Sequence, residues 1–133
     1  MKKIVLVALL AILSVVVQAQ TIGWTKSEIT SELTSSGQTY RYDFDGDGSM
    51  WIISYDRELE IEYSYRISIG KTVCDFIILM PRTAKGYYGF LYALNNNSSY
   101  FRVTDDVWIT DTGLSVVKGE TDGKKWFSLT EDK

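Results

Sequence analysis

The longest periodic pattern in the chain runs from Glu58 to Ile69, where Leu59, Ile61, Tyr63, Tyr65, Ile67 and Ile69 alternate with Glu58, Glu60, Glu62, Ser64, Arg66 and Ser68. A period of two sends successive side chains to opposite faces, so this segment predicts a strand with one core face and one wet face. Upstream, Thr39 to Asp43 and Met50 to Tyr55 also read as strands, joined as a hairpin through Asp45-Gly46-Asp47-Gly48. Val73 to Met80 is apolar except for Asp75 and reads as a central strand, with Cys74, Phe76, Ile78 and Met80 on its better-buried face and Pro81 at its end. Two segments change the period. Thr25-Lys26-Ser27-Glu28 has the spacing of a capping box, Trp24 and Ile29 stand at the staple positions and Gly37 supplies a left-handed stop, which predicts a helix from Lys26 to Ser36. Thr83 to Asn95 returns to helical spacing, with Tyr87, Phe90, Leu91 and Leu94 on one face despite Gly86 and Gly89. Beyond it, Tyr100–Val103, Val107–Thr110, Leu114–Lys118 and Lys125–Leu129 read as strands, with Thr112-Gly113 and Asp122-Gly123 as turns.

The order is a helix and a meander, then a second helix and a second meander. This predicts an α+β fold in which two short helices pack on one face of an antiparallel sheet made of two β-meanders. It also raises a tandem α-β-β-β duplication with halves 22–80 and 81–133. Gly23-Trp24-Thr25-Lys26-Ser27-Glu28-Ile29 and the tandem layout resemble the β-lactamase-inhibitor-protein-like and small outer-membrane-assembly-lipoprotein families. The chain departs from them in lacking the paired cysteines of the first and the lipidated cysteine of the second. The resemblance implies a binding or scaffolding role and carries over no functional residue.

The first nineteen residues change the setting. Lys2 and Lys3 precede an apolar run from Ile4 to Val17, and Val17-Gln18-Ala19 puts small residues at the −3 and −1 positions of a cleavage site. The run is too short for a membrane span, so we expect 1–19 to be a cleaved signal peptide and 20–133 to be a single periplasmic or secreted domain without a membrane span. Without Lys2 and Lys3, 12 basic residues face 17 acidic ones, a net charge of about −5, which argues against nucleic acid as a partner. Cys74 is the single cysteine and cannot form an internal disulfide, so packing must supply the stability. Histidine is absent, which removes Ser-His-Asp, Cys-His and His-zinc chemistry.

Three features could carry function. Asp43-Phe44-Asp45-Gly46-Asp47-Gly48-Ser49 matches the first half of a calcium loop, with carboxylates at Asp43, Asp45 and Asp47 and the Ser49 carbonyl at the seventh position. It also resembles the Asp-Phe-Asp-Gly-Asp-Gly loops of integrin-type propeller repeats. Trp51 and Ser54 stand where those loops or an EF-hand place further acids, so a plain hairpin turn and a calcium site both remain open. Glu58, Glu60 and Glu62 share one face of the alternating strand at glycosidase-like spacing, but on a polar face they read more simply as solvated. The tyrosines of the second helix exceed what one core stripe needs: Tyr87, Tyr88 and Tyr92 span different faces and supply candidate binding anchors. The expectation is a non-enzymatic module that recognises a protein or envelope component through an aromatic surface. The alternative is a calcium-stabilised secreted adhesion or surface domain.

Overall fold

A computed structural model of the protein describes residues 21–131, so the expected signal peptide lies outside the described residues. Helix α1 spans Lys26–Ser35, and the Thr25 capping box closes it: Thr25 Oγ1 accepts the Glu28 amide (3.2 Å) while Glu28 Oε1 accepts the Thr25 amide (3.1 Å). Gly37 follows at φ 74°, the left-handed conformation a helix stop requires. Four strands come next: β1 (Tyr40–Phe44), β2 (Met50–Asp56), β3 (Ile61–Ile67) and β4 (Phe76–Pro81). Helix α2 (Ala84–Asn96) leads into β5 (Tyr100–Thr104), β6 (Val107–Thr110), β7 (Leu114–Thr121) and β8 (Lys124–Glu131). Each half therefore carries four strands, one more than the tandem α-β-β-β pattern anticipated.

All eight strands form one antiparallel sheet in the order β1-β2-β3-β4-β8-β7-β6-β5, so the two meanders meet where β4 pairs with β8. The architecture is α+β with the sheet dominant. Exchanging the halves, β1 for β5 and so on, maps the strand order onto itself. Among the described residues no helix is long and apolar enough to cross a membrane.

The register explains the core. Ile52, Tyr65, Ile77, Leu129 and Val116 are paired neighbours on one sheet face, and all are buried. Both helices lie on that face: Ile29 and Leu33 of α1, and Phe90, Ala93 and Leu94 of α2, join the same cluster. Phe90 packs on Phe127 with ring centroids 4.7 Å apart, and Trp108 is fully buried with its indole donating to Asn95 Oδ1 (3.0 Å). The opposite face has Trp51, Phe76, Ile78, Met80 and Trp126, all half-buried.

Two sequence expectations are corrected here. On β4, Ile77 and Leu79 are the buried pair, while Phe76, Ile78 and Met80 are half-buried on the other face. Cys74 is buried as expected, but it precedes the strand. It pairs with the segment before α1, through Cys74 amide to Trp24 carbonyl and Gly23 amide to Cys74 carbonyl (both 2.8 Å), so its parity does not continue into β4. Ile69 lies past the end of β3 and is 65% exposed, because the chain has already turned there, with the Lys71 amide donating to the Ser68 carbonyl.

Candidate functional site

The first turn of α2 is fixed by contact with backbone. Thr83 caps the helix by accepting the Gly86 amide on Oγ1 (3.1 Å). Gly86 is buried against residues 57–60, where a β-carbon would stand 2.7 Å from the Glu60 carbonyl oxygen and 2.9 Å from that of Leu59. Glu60 adopts φ 57°, a conformation unusual for a residue with a side chain, and its carbonyl also accepts the Arg82 amide (2.9 Å). Lys85 Nζ lies 3.6 Å from Glu60 Oε2. These contacts hold the start of α2 over the ends of β3 and β4.

The β7–β8 hairpin closes the other side. Asp122 and Gly123 take φ of 52° and 76°, the paired left-handed conformations of a type I′ turn, and bring Lys124 and Lys125 beside α2. Between the hairpin and the helix runs a groove of about 620 Å³ floored by Met80 and Pro81. Tyr87 and Tyr88 form one wall. Their rings meet edge to face at 5.0 Å, and Tyr87 is stacked on Phe127 at 5.7 Å, so the wall stands on the core. Lys125 Nζ sits 4.1 Å from the Tyr87 ring centroid and 5.9 Å from that of Tyr88. At the sheet end Arg82 reaches Glu62 Oε2, with Nε at 3.0 Å. This hydrogen bond and the Glu62 charge hold the Arg82 guanidinium even further above its ordinary value.

Arg82, Lys124 and Lys125 thus face one acid, Glu62, in a chain whose net charge is −3. An aromatic wall with ammonium groups above it is suited to a ligand that has carboxylates and apolar stems. The structure brings Tyr87 and Tyr88 together in this groove. Tyr92, 51% exposed, sits one turn along α2 and does not line it. Arg82, Lys124 and Lys125 escaped the sequence reading, and no local motif marks them, because the groove exists only once β8 lies beside β4.

The Asp43–Ser49 loop closes on itself. Asp43 Oδ1 accepts the Phe44 amide (2.9 Å), Asp45 Oδ2 accepts the Trp51 indole N–H (2.6 Å) and Asp47 Oδ1 accepts the Ser49 amide (2.9 Å). The Ser49 amide and hydroxyl hold the Asp47 carboxyl below its usual pKa. Ser49 Oγ is turned inward to accept the Ile69 amide (3.1 Å). The carboxylates point at three different donors, and among the described residues no three acids or cysteines stand together as metal ligands would.

The glutamate row is also corrected, since Glu58 and Glu60 belong to the turn before β3 and only Glu62 is on the strand. Cys74 is a buried thiol pushed up to about 11 by desolvation, which keeps it protonated and unreactive at neutral pH. No protein-family model, curated protein or solved structure matches the chain.

Proposed function

We propose that this protein is an exported, non-enzymatic binding module that takes an acidic segment of a protein partner in the groove between α2 and the β7–β8 hairpin. The observation that carries the reading is the Tyr87–Tyr88 wall with Lys125 over it, opposite Arg82 and beside Lys124. Tyrosines anchored on the core give contact area at low entropic cost, and the cations steer an acidic partner to one place on an otherwise acidic molecule. We further infer that the halves 22–80 and 81–133 descend from one α-β-β-β-β unit. The strand order is symmetric under their exchange, and each helix starts at a threonine cap, Thr25 and Thr83.

The test is titration of the purified protein with an oligoglutamate peptide and, separately, with an acidic polysaccharide at low and moderate salt. The expected result is peptide binding that weakens with salt. Lys125→Glu should weaken it about tenfold, as should Tyr88→Ala, which removes an exposed ring, while the melting temperature stays within about 1 °C. Peptide binding indifferent to both substitutions would remove the groove from the account. A preference for the polysaccharide would replace the protein partner with an envelope glycan.

A further inference from the structure

The two edges of the sheet are finished differently. At β5 the ladder to β6 shifts between Arg102 and Thr104, and the Arg102 guanidinium occupies the carbonyls of Thr104 (3.3 Å) and Asp105 (3.0 Å). A bulge of this kind blunts an edge against further pairing. At β1 the register with β2 runs unbroken from Tyr40 to Phe44, every residue is exposed, and three of the five are aromatic. Tyr40, Tyr42 and Phe44 share the helix-bearing face, opposite Ser54, Ile52 and Met50, yet they are 37%, 42% and 66% exposed.

The Asp45 amide donates to the Ser49 carbonyl (2.9 Å), and antiparallel pairs alternate, so the backbone groups of Asp43 and Arg41 turn toward β2. Those of Tyr40, Tyr42 and Phe44 turn outward. The Phe44 amide is found there, held by its neighbour's carboxylate, Asp43 Oδ1, at 2.9 Å.

We propose that β1 pairs antiparallel with β1 of a second copy of this chain, centred on Tyr42, to form a two-fold dimer with one continuous sheet. In this register Tyr42 faces Tyr42, Tyr40 faces Phe44 and Arg41 faces Asp43 of the second copy, so the sequence Tyr-Arg-Tyr-Asp-Phe is complementary to itself. The outward groups of Tyr40, Tyr42 and Phe44 then match their counterparts in about six backbone hydrogen bonds. Arg41 and Asp43 fall at the more closely spaced positions, where a cross-strand charge pair acts best.

Electrostatics selects this register. A slip of the pairing to either side sets Arg41 against Arg41 or Asp43 against Asp43 of the other copy. On pairing, the Asp43 carboxylate exchanges its own Phe44 amide for the incoming Arg41, which already lies 3.8 Å from Glu62 of its own chain and becomes shared between two acids. The bulge at β5 stops the assembly at two copies.

Sedimentation equilibrium of the purified protein from about 10 µM to about 1 mM should show a monomer–dimer equilibrium, as suits a small interface. Arg41→Asp or Asp43→Arg alone places like charges opposite one another and should weaken self-association about tenfold. An equimolar mixture of the two variants should associate again, because each then offers the charges the other lacks. If either variant fails to fold, Tyr42→Pro, which deletes one outward amide and leaves the ladder to β2 intact, should abolish the dimer in its place. A wild type that is monomeric at about 1 mM, a dimer insensitive to these substitutions, or a mixture that stays monomeric would each overturn the proposal. Tyr42 and Asp43 do not line the α2 groove, so the Tyr42→Pro and Asp43→Arg results are independent of ligand binding there, whereas Arg41→Asp also changes the charge beside Glu62 of the groove.

Discussion

The two halves share one topology but are covered to different depths. Helix α1 buries only Ile29 and Leu33, and the face of β1 beyond it stays open at Tyr40, Tyr42 and Phe44. Helix α2 buries Gly86, Phe90, Ala93 and Leu94, and the first residue of β5, Tyr100, is buried. The difference begins at one equivalent position, the third helical residue after each threonine cap. In α1 it is Glu28, whose carboxylate completes the capping box. In α2 it is Gly86, where the helix rests on the Leu59 and Glu60 carbonyls and no side chain fits. One topology thus yields a shallow helix in one half and a deep helix seat with a groove in the other, while β5 past Tyr100 is exposed as β1 is.

The seat of α2 is most sensitive at Gly86. Gly86→Ala should cost about 3 kcal/mol in chemical denaturation, because a methyl group meets backbone that cannot yield, and it should disturb the groove as α2 lifts. A loss below about 1 kcal/mol would show that the seat is soft.

Alkaline titration contrasts the two halves next. Desolvation raises the Cys74 thiol from 9.0 to about 11 and the Tyr100 phenol from 10.0 to about 12. Both folded pKa values lie above the unfolded ones, so the folded chain binds more protons and stability falls as pH rises through these ranges. We expect a loss of about 2 kcal/mol for Cys74 between pH 9 and 11, and a later one for Tyr100 between about pH 10 and 12. Cys74→Ala should flatten the first step and leave the second. An unchanged profile in Cys74→Ala would show that the thiol is not the titrating group.

At the first helix the effect should be smaller. Glu28→Ala removes half of an exposed capping box and should cost about 0.5–1 kcal/mol, read as a drop in melting temperature without any change in groove binding. The smallest response should come from the acidic hairpin. With each carboxylate already turned to its own N–H donor, about 10 mM calcium should shift the melting temperature by less than about 1 °C. A rise of several degrees that disappears in Asp45→Ala would identify the hairpin as a calcium loop.

Local chemistry made much of the fold legible. The capping box located α1 to within one residue of its end, and the alternation before Gly70 located the buried face of β3 from Ile61 to Ile67. The faces of β4 were misread because Val73 to Met80 looks continuous as a string, whereas Cys74 pairs with the Trp24 segment and the strand begins only at Phe76. Tyr87 on the core stripe and Tyr88 as a surplus aromatic were visible on the helix, although Tyr92, read with them, does not line the groove. The cationic neighbours of Tyr87 and Tyr88 were not visible, since Lys124 and Lys125 reach them only through long-range pairing, which leaves no periodic trace.

The seam between β4 and β8 also bears on the order of events in folding. Ile77 pairs with Leu129, more than fifty residues further along, so the middle of the sheet is closed by β8, the most C-terminal of the described strands. Until β8 arrives, β4 is a bare hydrophobic edge of a half-built sheet, the kind of surface through which unfinished chains find one another. Closure at this seam should therefore be late and cooperative, and chains truncated before Lys124 should aggregate rather than fold as a stable first half.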